Sequence, residues 1–229
     1  MKIVCFGDSL TRGVSLVKGR LRILKENYPT FLQNFFLTNN QSDTIVINKG
    51  IFNDNSNLLI KRLDKDVIEE NPDIVLIEVG GNDCNFPWEK VANEPNNEHE
   101  PIVPLQTYLD NLKKIVVSLK AKNIMPIFLT LPPLDPVKYY RFISNIYGKS
   151  ISHWISICGG IEHWHSIYNE NLNKIAKQLG VMSIDVRAFL KSCENFTQFI
   201  SDDGIHLNAN GYKMMSMNIY QQLLKITDQ

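Results

Sequence analysis

Ser9 follows directly on a short apolar run, Lys2 to Phe6, in the segment Gly7-Asp8-Ser9-Leu10-Thr11-Arg12-Gly13. A serine flanked by glycines that permit tight turns is well placed to project into a crevice. Its hydroxyl is a poor nucleophile until a neighbouring base takes the proton. Histidine does this near neutral pH, and His206 lies in Asp203-Gly204-Ile205-His206 near the chain's end. A carboxylate beside the base fixes its tautomer and stabilises the imidazolium, which makes Asp203 the third candidate. Acyl transfer also needs N–H donors for the oxyanion of its tetrahedral intermediate. The Ser9 N–H, the Gly50 N–H in Asn48-Lys49-Gly50 and the Asn82 side chain in Gly80-Gly81-Asn82-Asp83 can supply three. Each motif alone has a plainer reading. Gly-Asp-Ser and Asn82 are common turn or cap residues, and a lone histidine is usually a satisfied surface or core residue. Their joint occurrence, in this order, favours ester chemistry.

The elements that must position them are readable. Lys2 to Phe6, Thr44 to Asn48, Asp73 to Val79, Ile124 to Thr130 and Val181 to Asp185 are short, β-branched-rich apolar runs, as in strands covered on both faces. Helical periods lie between them. Leu105, Tyr108, Leu109, Leu112, Ile115, Val116 and Leu119 recur at three- and four-residue steps, and Ile161, Trp164, Tyr168, Leu172, Ile175 and Leu179 do the same. Pro29 suits the first position of a helix, and Asn208 can cap the last one. Strands alternating with helices predict an α/β protein with a parallel sheet of about five strands, covered on both faces. Ligands bind such sheets beyond the carboxyl ends of the strands, where Ser9, Gly50 and Asn82 fall.

Two stretches break the alternation. Asn85 to Pro104 carries four prolines, and Leu131 to Gly160 opens on Pro132-Pro133 and is rich in aromatics. Both follow strands, so both are expected as long loops walling the site. Asp8 and Phe52, next to the serine and the glycine, and Trp88, Tyr139 and Trp154 in the loops, are the candidate substrate contacts.

The four blocks resemble the SGNH hydrolase superfamily, also called GDSL esterases or lipases. The family serine matches Ser9, the glycine Gly50, the asparagine Asn82, and the histidine His206 with its acid at Asp203. The resemblance runs from residue 6 to 212 and implies a flavodoxin-like three-layer α/β/α sandwich, here as one domain over 1–229. It also implies an acyl-enzyme mechanism needing no cofactor and no metal. One departure is local: Asn53 stands where members often carry a second glycine, which places Phe52 beside Gly50. Asparagine tolerates left-handed backbone better than most residues. No Gly-x-Ser-x-Gly is present, so the common α/β-hydrolase elbow is not supported.

Composition narrows the partners. The 229-residue chain has 24 Lys plus Arg against 24 Asp plus Glu. No basic surplus exists to neutralise phosphates, which argues against nucleic acid. No stretch approaches the roughly 20 apolar residues of a membrane span. The opening run is too short for a signal-peptide core, so the expected location is cytoplasmic. Cys5, Cys84, Cys158 and Cys193 are scattered without a CxxC pair and are expected as free thiols. His163-Trp164-His165 matches no helix-based zinc motif and reads as helix-face polar residues or pocket lining. Cys84, near Asn82, is a weaker rival to Ser9, because it has no assigned base. The expected partner is a small-molecule ester, with short acyl groups on sugars or soluble metabolites favoured. A thioesterase or acyltransferase would use the same residues, and a non-catalytic binding module could keep the same fold.

Overall fold

A computed structural model describes residues 1–227. Strand β1 (Lys2–Gly7) leads into the one-turn helix α1 (Ser9–Arg12) and a hairpin, β2 (Val14–Val17) and β3 (Arg20–Ile23). Then come α2 (Tyr28–Thr38), β4 (Ile45–Gly50), α3 (Ser56–Leu63), β5 (Ile74–Glu78), α4 (Trp88–Asn93) and α5 (Leu105–Lys120). The second half holds β6 (Met125–Leu129), α6 (Pro136–Tyr147), α7 (Ile151–Ile157), α8 (Ile161–Gln178), β7 (Met182–Ile184), α9 (Val186–Ser192) and α10 (Ala209–Thr227).

The main sheet has the order β4-β1-β5-β6-β7, with every pairing parallel. Numbered along the chain this is 2-1-3-4-5, the flavodoxin-like order. The order reverses at β1, so a crevice opens beyond the carboxyl ends of β1 and β5. Alternation along β1 feeds two cores. Val4 and Phe6 face the side covered by α3, α5 and α8, with Leu59, Leu112 and Leu172. Ile3 and Cys5 face the side covered by α2, α9 and α10, with Leu32, Leu190 and Met215. Burying one such aliphatic side chain stabilises the fold by roughly 1.5–3 kcal/mol.

Helix starts follow local chemistry. Asn27 caps α2 by accepting from the Thr30 N–H, with Pro29 in the first turn. The Asn208 carboxamide accepts from the Gly211 N–H at 3.0 Å, at the start of α10.

Of the two stretches expected as loops, the first is loop around one short helix and the second is largely helical. α4 lies in the first, and α6 and α7 lie in the second. The Asp135 carboxylate caps α6 through the Val137 and Lys138 N–H groups, each at 3.0 Å, and Pro136 follows it. Phe86, Trp88, Tyr139, Ile143, Ile151 and Trp154 form a third apolar cluster between these helices. The aromatics that interrupted the alternation are therefore a small core of their own. The β2–β3 hairpin was not expected either; its turn residues Lys18 and Gly19 both take positive φ, as a two-residue hairpin turn requires.

Candidate active site

Ser9 is delivered by a tight exit from β1. A side chain at Gly7 would collide with the Glu78 carbonyl and the Thr11 hydroxyl. The Asp8 carboxylate accepts from the Leu10 N–H at 2.9 Å, and Gly13, at φ 92°, ends α1 after a single turn. Ser9 thus stands at the first position of a helix, where the N–H has no partner within the helix.

His206 and Asp203 come from the turn before α10. Asp203 Oδ1 accepts from the Ser201 hydroxyl at 2.8 Å and from the Ile205 and His206 N–H groups at 3.1 and 3.0 Å. Its Oδ2 meets His206 Nδ1 at 2.7 Å, and His206 Nε2 meets Ser9 Oγ at 2.9 Å. Burial alone would raise the Asp203 carboxyl, but the His206 ring and the two backbone donors outweigh it and hold it below its ordinary value. The carboxylate is therefore ionised and accepts, so Nδ1 carries the hydrogen and Nε2 offers a lone pair to the Ser9 hydroxyl. This arrangement can draw a proton from serine. All three side chains are buried.

Asn82 Nδ2 donates to the Asp54 carbonyl at 2.7 Å and lies 3.5 Å from Asp8 Oδ2. The second contact is long for a hydrogen bond, so that N–H is the one available to a ligand. Arg62 steadies this corner. It pairs with Asp54 at 2.6 Å and with Asp66 at 2.9 Å, and donates to the Gly7 and Lys49 carbonyls at the ends of β1 and β4.

Gly50 differs from its expected place. Its N–H is given to Asn48 Oδ1 at 2.9 Å, and it does not line the cavity beside Ser9. A side chain here would strike the backbone of Thr11 and Arg12. The glycine is required because the end of β4 touches the α1 turn. The Asn48 amide, which also donates to the Thr11 carbonyl at 2.9 Å, must yield before the Gly50 N–H can serve a ligand.

A cavity of about 80 Å³, room for a handful of water molecules, runs from Ser9 and His206 beneath α6, α7 and α8. Asp8, Asn82, Trp88 and Tyr139 line it, as do Leu10, Cys84, Asn85, Phe86, Pro132, Leu134, Trp164, His165 and Ile205. Phe52 and Trp154 do not. Phe52 is 44% exposed on the turn after Gly50, and Asn53 beside it takes φ 62°, the left-handed conformation that the missing glycine would have supplied. Trp154 packs edge-on against Phe86 and His99, one layer behind the wall. Leu134, Ile205 and His165 were not singled out as substrate contacts. Only the prolines after β6 and the His-Trp-His triplet hinted at this wall.

Burial dominates the titration of the acids under Ser9. It pushes Asp8 up to about 6 against the opposing Leu10 N–H, and Asp83 up to about 7 against its bonds to Ser56. Burial, and then the adjacent Asp8 carboxylate, push Glu78 well above the usual range. Burial also raises the Cys84 thiol, whose Sγ meets the Gly81 carbonyl at 3.3 Å, so it is a poor nucleophile.

A doubly wound sheet with a serine, a histidine and a carboxylate in hydrogen-bonded series at the switch point is an arrangement suited to acyl transfer, and the comparisons with known proteins make the class that of carboxylic ester hydrolases. The family model described as the GDSL-like Lipase/Acylhydrolase family matches residues 5–214, and the chain belongs to that family. The Arabidopsis thaliana protein named GDSL esterase/lipase CPRD49 is 27% identical over 224 residues, covering 95% of this chain and 77% of the relative. Two solved structures share the fold. The lipase/acylhydrolase from Enterococcus faecalis superposes with a TM-score of 0.72 at 20% identity, covering 97% of this chain and 94% of the other. A catalytic mutant of Axe2, an acetylxylan esterase from Geobacillus stearothermophilus, gives 0.69 at 19% identity, covering 97% and 93%. Among the described residues, no helix is long and apolar enough to cross a membrane.

Proposed function

We propose that this protein is a serine esterase that removes short acyl groups, O-acetyl groups on carbohydrates among them, through an acyl-enzyme. The reading includes the whole chain as one domain acting in the cytoplasm. The observation that carries it is the unbroken series Asp203–His206–Ser9, with contacts of 2.7 and 2.9 Å.

Ser9 Oγ attacks the ester carbonyl as His206 Nε2 takes its proton. Asp203 holds the ring and offsets the positive charge that forms on it. The Ser9 N–H and the Asn82 amide donate to the oxyanion; the Gly50 N–H joins them once Asn48 lets go. The imidazolium then protonates the leaving alkoxide. Water, activated by the same histidine, releases the acid and restores Ser9. The limited room beside the serine supports a small ester substrate. The acetylxylan esterase among the fold neighbours is consistent with an acetyl ester, though at 19% identity it speaks for the fold alone.

The test is initial rates on p-nitrophenyl acetate, butyrate and octanoate for wild type and Ser9→Ala. The expected result is activity that falls with chain length and drops at least 10³-fold in Ser9→Ala. A folded Ser9→Ala protein as fast as wild type would overturn the assignment.

A further inference from the structure

His165, on α8, lines the same cavity as His206 but is held the opposite way. Its Nδ1 lies 2.9 Å from Arg187 Nη1. A guanidinium only donates and is not deprotonated in proteins, so Nδ1 must accept. The neutral ring then carries its hydrogen on Nε2. That nitrogen has no hydrogen-bond partner among the described residues, yet it is not among the buried unpartnered atoms, so solvent reaches it. Arg187 is itself buried and anchored. It pairs with Glu162 at 2.6 Å and lies 3.4 and 3.5 Å from the Leu131 and Pro132 carbonyls.

A second donor is set by similar logic. Asn85 Oδ1 accepts from the Phe86 N–H at 3.0 Å, the Trp88 indole at 2.7 Å and the Tyr139 hydroxyl at 2.8 Å. Three donors on one oxygen fix the amide's orientation. Its NH₂ has no partner among the described residues and is also reached by solvent. Asn85 lines the cavity too, where much of the remaining wall is aromatic or aliphatic.

Two oriented N–H donors in a largely apolar wall call for acceptor oxygens on the ligand. A purely hydrocarbon ligand would strip both of water and leave them unpaired, a desolvation cost that disfavours it. Resting on the esterase reading above, we propose that His165 and Asn85 select substrates by donating to hydroxyl, ether or carbonyl oxygens of the ester's alcohol portion. The substrate class is therefore an acyl ester of a polyol or sugar rather than of a plain alkyl or aryl alcohol. His165 stays neutral across the working pH range, because burial and then the Arg187 and Lys191 charges push its pKa down to about 3, so the Arg187 contact alone sets which nitrogen carries the hydrogen.

The test compares kcat/KM on xylose tetraacetate with kcat/KM on p-nitrophenyl acetate, for wild type, His165→Phe and His165→Gln. The ratio of the two is expected to fall about tenfold or more in the Phe variant, which has no donor. The Gln variant, which keeps an N–H, is expected to recover most of it. An unchanged ratio in the Phe variant overturns the inference while leaving the esterase reading intact. A folded wild type inactive on both esters, and unlabelled by a serine-directed fluorophosphonate, counts against the esterase reading itself. One further measurement does not depend on the variants folding. Long-range ¹H–¹⁵N NMR of wild type is expected to show His165 as the Nε2–H tautomer; finding hydrogen on Nδ1 overturns the proposal.

Discussion

The two histidines of the cavity share a residue type and a wall, but they face opposite partners. His206 Nδ1 meets the Asp203 carboxylate at 2.7 Å, and His165 Nδ1 meets the Arg187 guanidinium at 2.9 Å. An acceptor behind the ring turns its far nitrogen into a lone pair; a donor behind the ring turns it into an N–H. The first ring is equipped to take a proton and the second to bind an oxygen. The chemistry of an imidazole is decided by the group behind it, not by the imidazole.

The largest expected effect comes from making His206 resemble His165. In Asp203→Asn the amide can present an N–H to Nδ1, which moves the ring hydrogen to Nε2 and removes the base. A fall in kcat of roughly 10³–10⁴-fold is expected, with little change in the unfolding transition. A fall of less than tenfold would mean that the tautomer is not the controlling feature.

Removing the donor behind the other ring tests stability as well. Arg187→Met leaves Glu162 without one buried partner and His165 Nδ1 without its donor. Folding stability is expected to drop by about 1–3 kcal/mol in urea unfolding, since His165 Nδ1 loses its donor while the partly exposed Glu162 keeps Lys191. The His165 pKa is expected to rise, since a positive charge beside the ring is gone. An unchanged His165 titration would show that Arg187 does not hold it.

The pH dependence of stability sharpens the same contrast. His165 has a folded pKa of about 3, below an ordinary histidine value of about 6.5. The unfolded chain therefore binds its proton first, and stability that is full above about pH 6.5 is lost as pH falls toward 3. Between pH 7.5 and 4.5 this one ring costs about 2–3 kcal/mol. In His165→Gln that slope should disappear from denaturant midpoints taken across the range. Glu162, Lys191 and Arg187 face the ring, so the double variant with Arg187→Met separates its own titration from theirs.

The smallest expected effect lies outside the cavity. Phe52 is half exposed and does not line the cavity, so Phe52→Ala is expected to leave kcat/KM within about twofold and stability within about 0.5 kcal/mol. A large loss of activity would mean that the turn after Gly50 closes over substrate.

Much of the architecture was legible because strand signals are local. The five apolar runs became β1, β4, β5, β6 and β7, each within a few residues, and the 2-1-3-4-5 order is the one the flavodoxin-like resemblance implied. The helices over the site were harder to see. Asp135-Pro136 is a helix-start signal, but it sits among prolines and aromatics that also suit a loop. Trp88 and Tyr139 could be placed at the wall from the sequence; Trp154, equally aromatic and in the same segment, packs one layer behind it. Aromatic type fixes the drive for burial, not which layer a ring will occupy.

The chain by itself named the candidate reacting groups, because a nucleophile, a base and an acid are residue types in short motifs at a strand end or just before the last helix. It also allowed Asn53 to stand in for a second glycine, a matter of local backbone conformation; that Gly50 must be glycine follows only from the packing of the end of β4 against the α1 turn. Only the tertiary structure decided what stands behind each ring. Asp203 is three residues from His206 and could be named as its partner from spacing alone. Arg187 is 22 residues from His165 and reaches it only because α9 and α8 flank the end of the sheet. Local spacing fixes neighbours within a turn of chain. Which charge faces which ring across two elements is fixed by packing, and packing is a property of the whole fold.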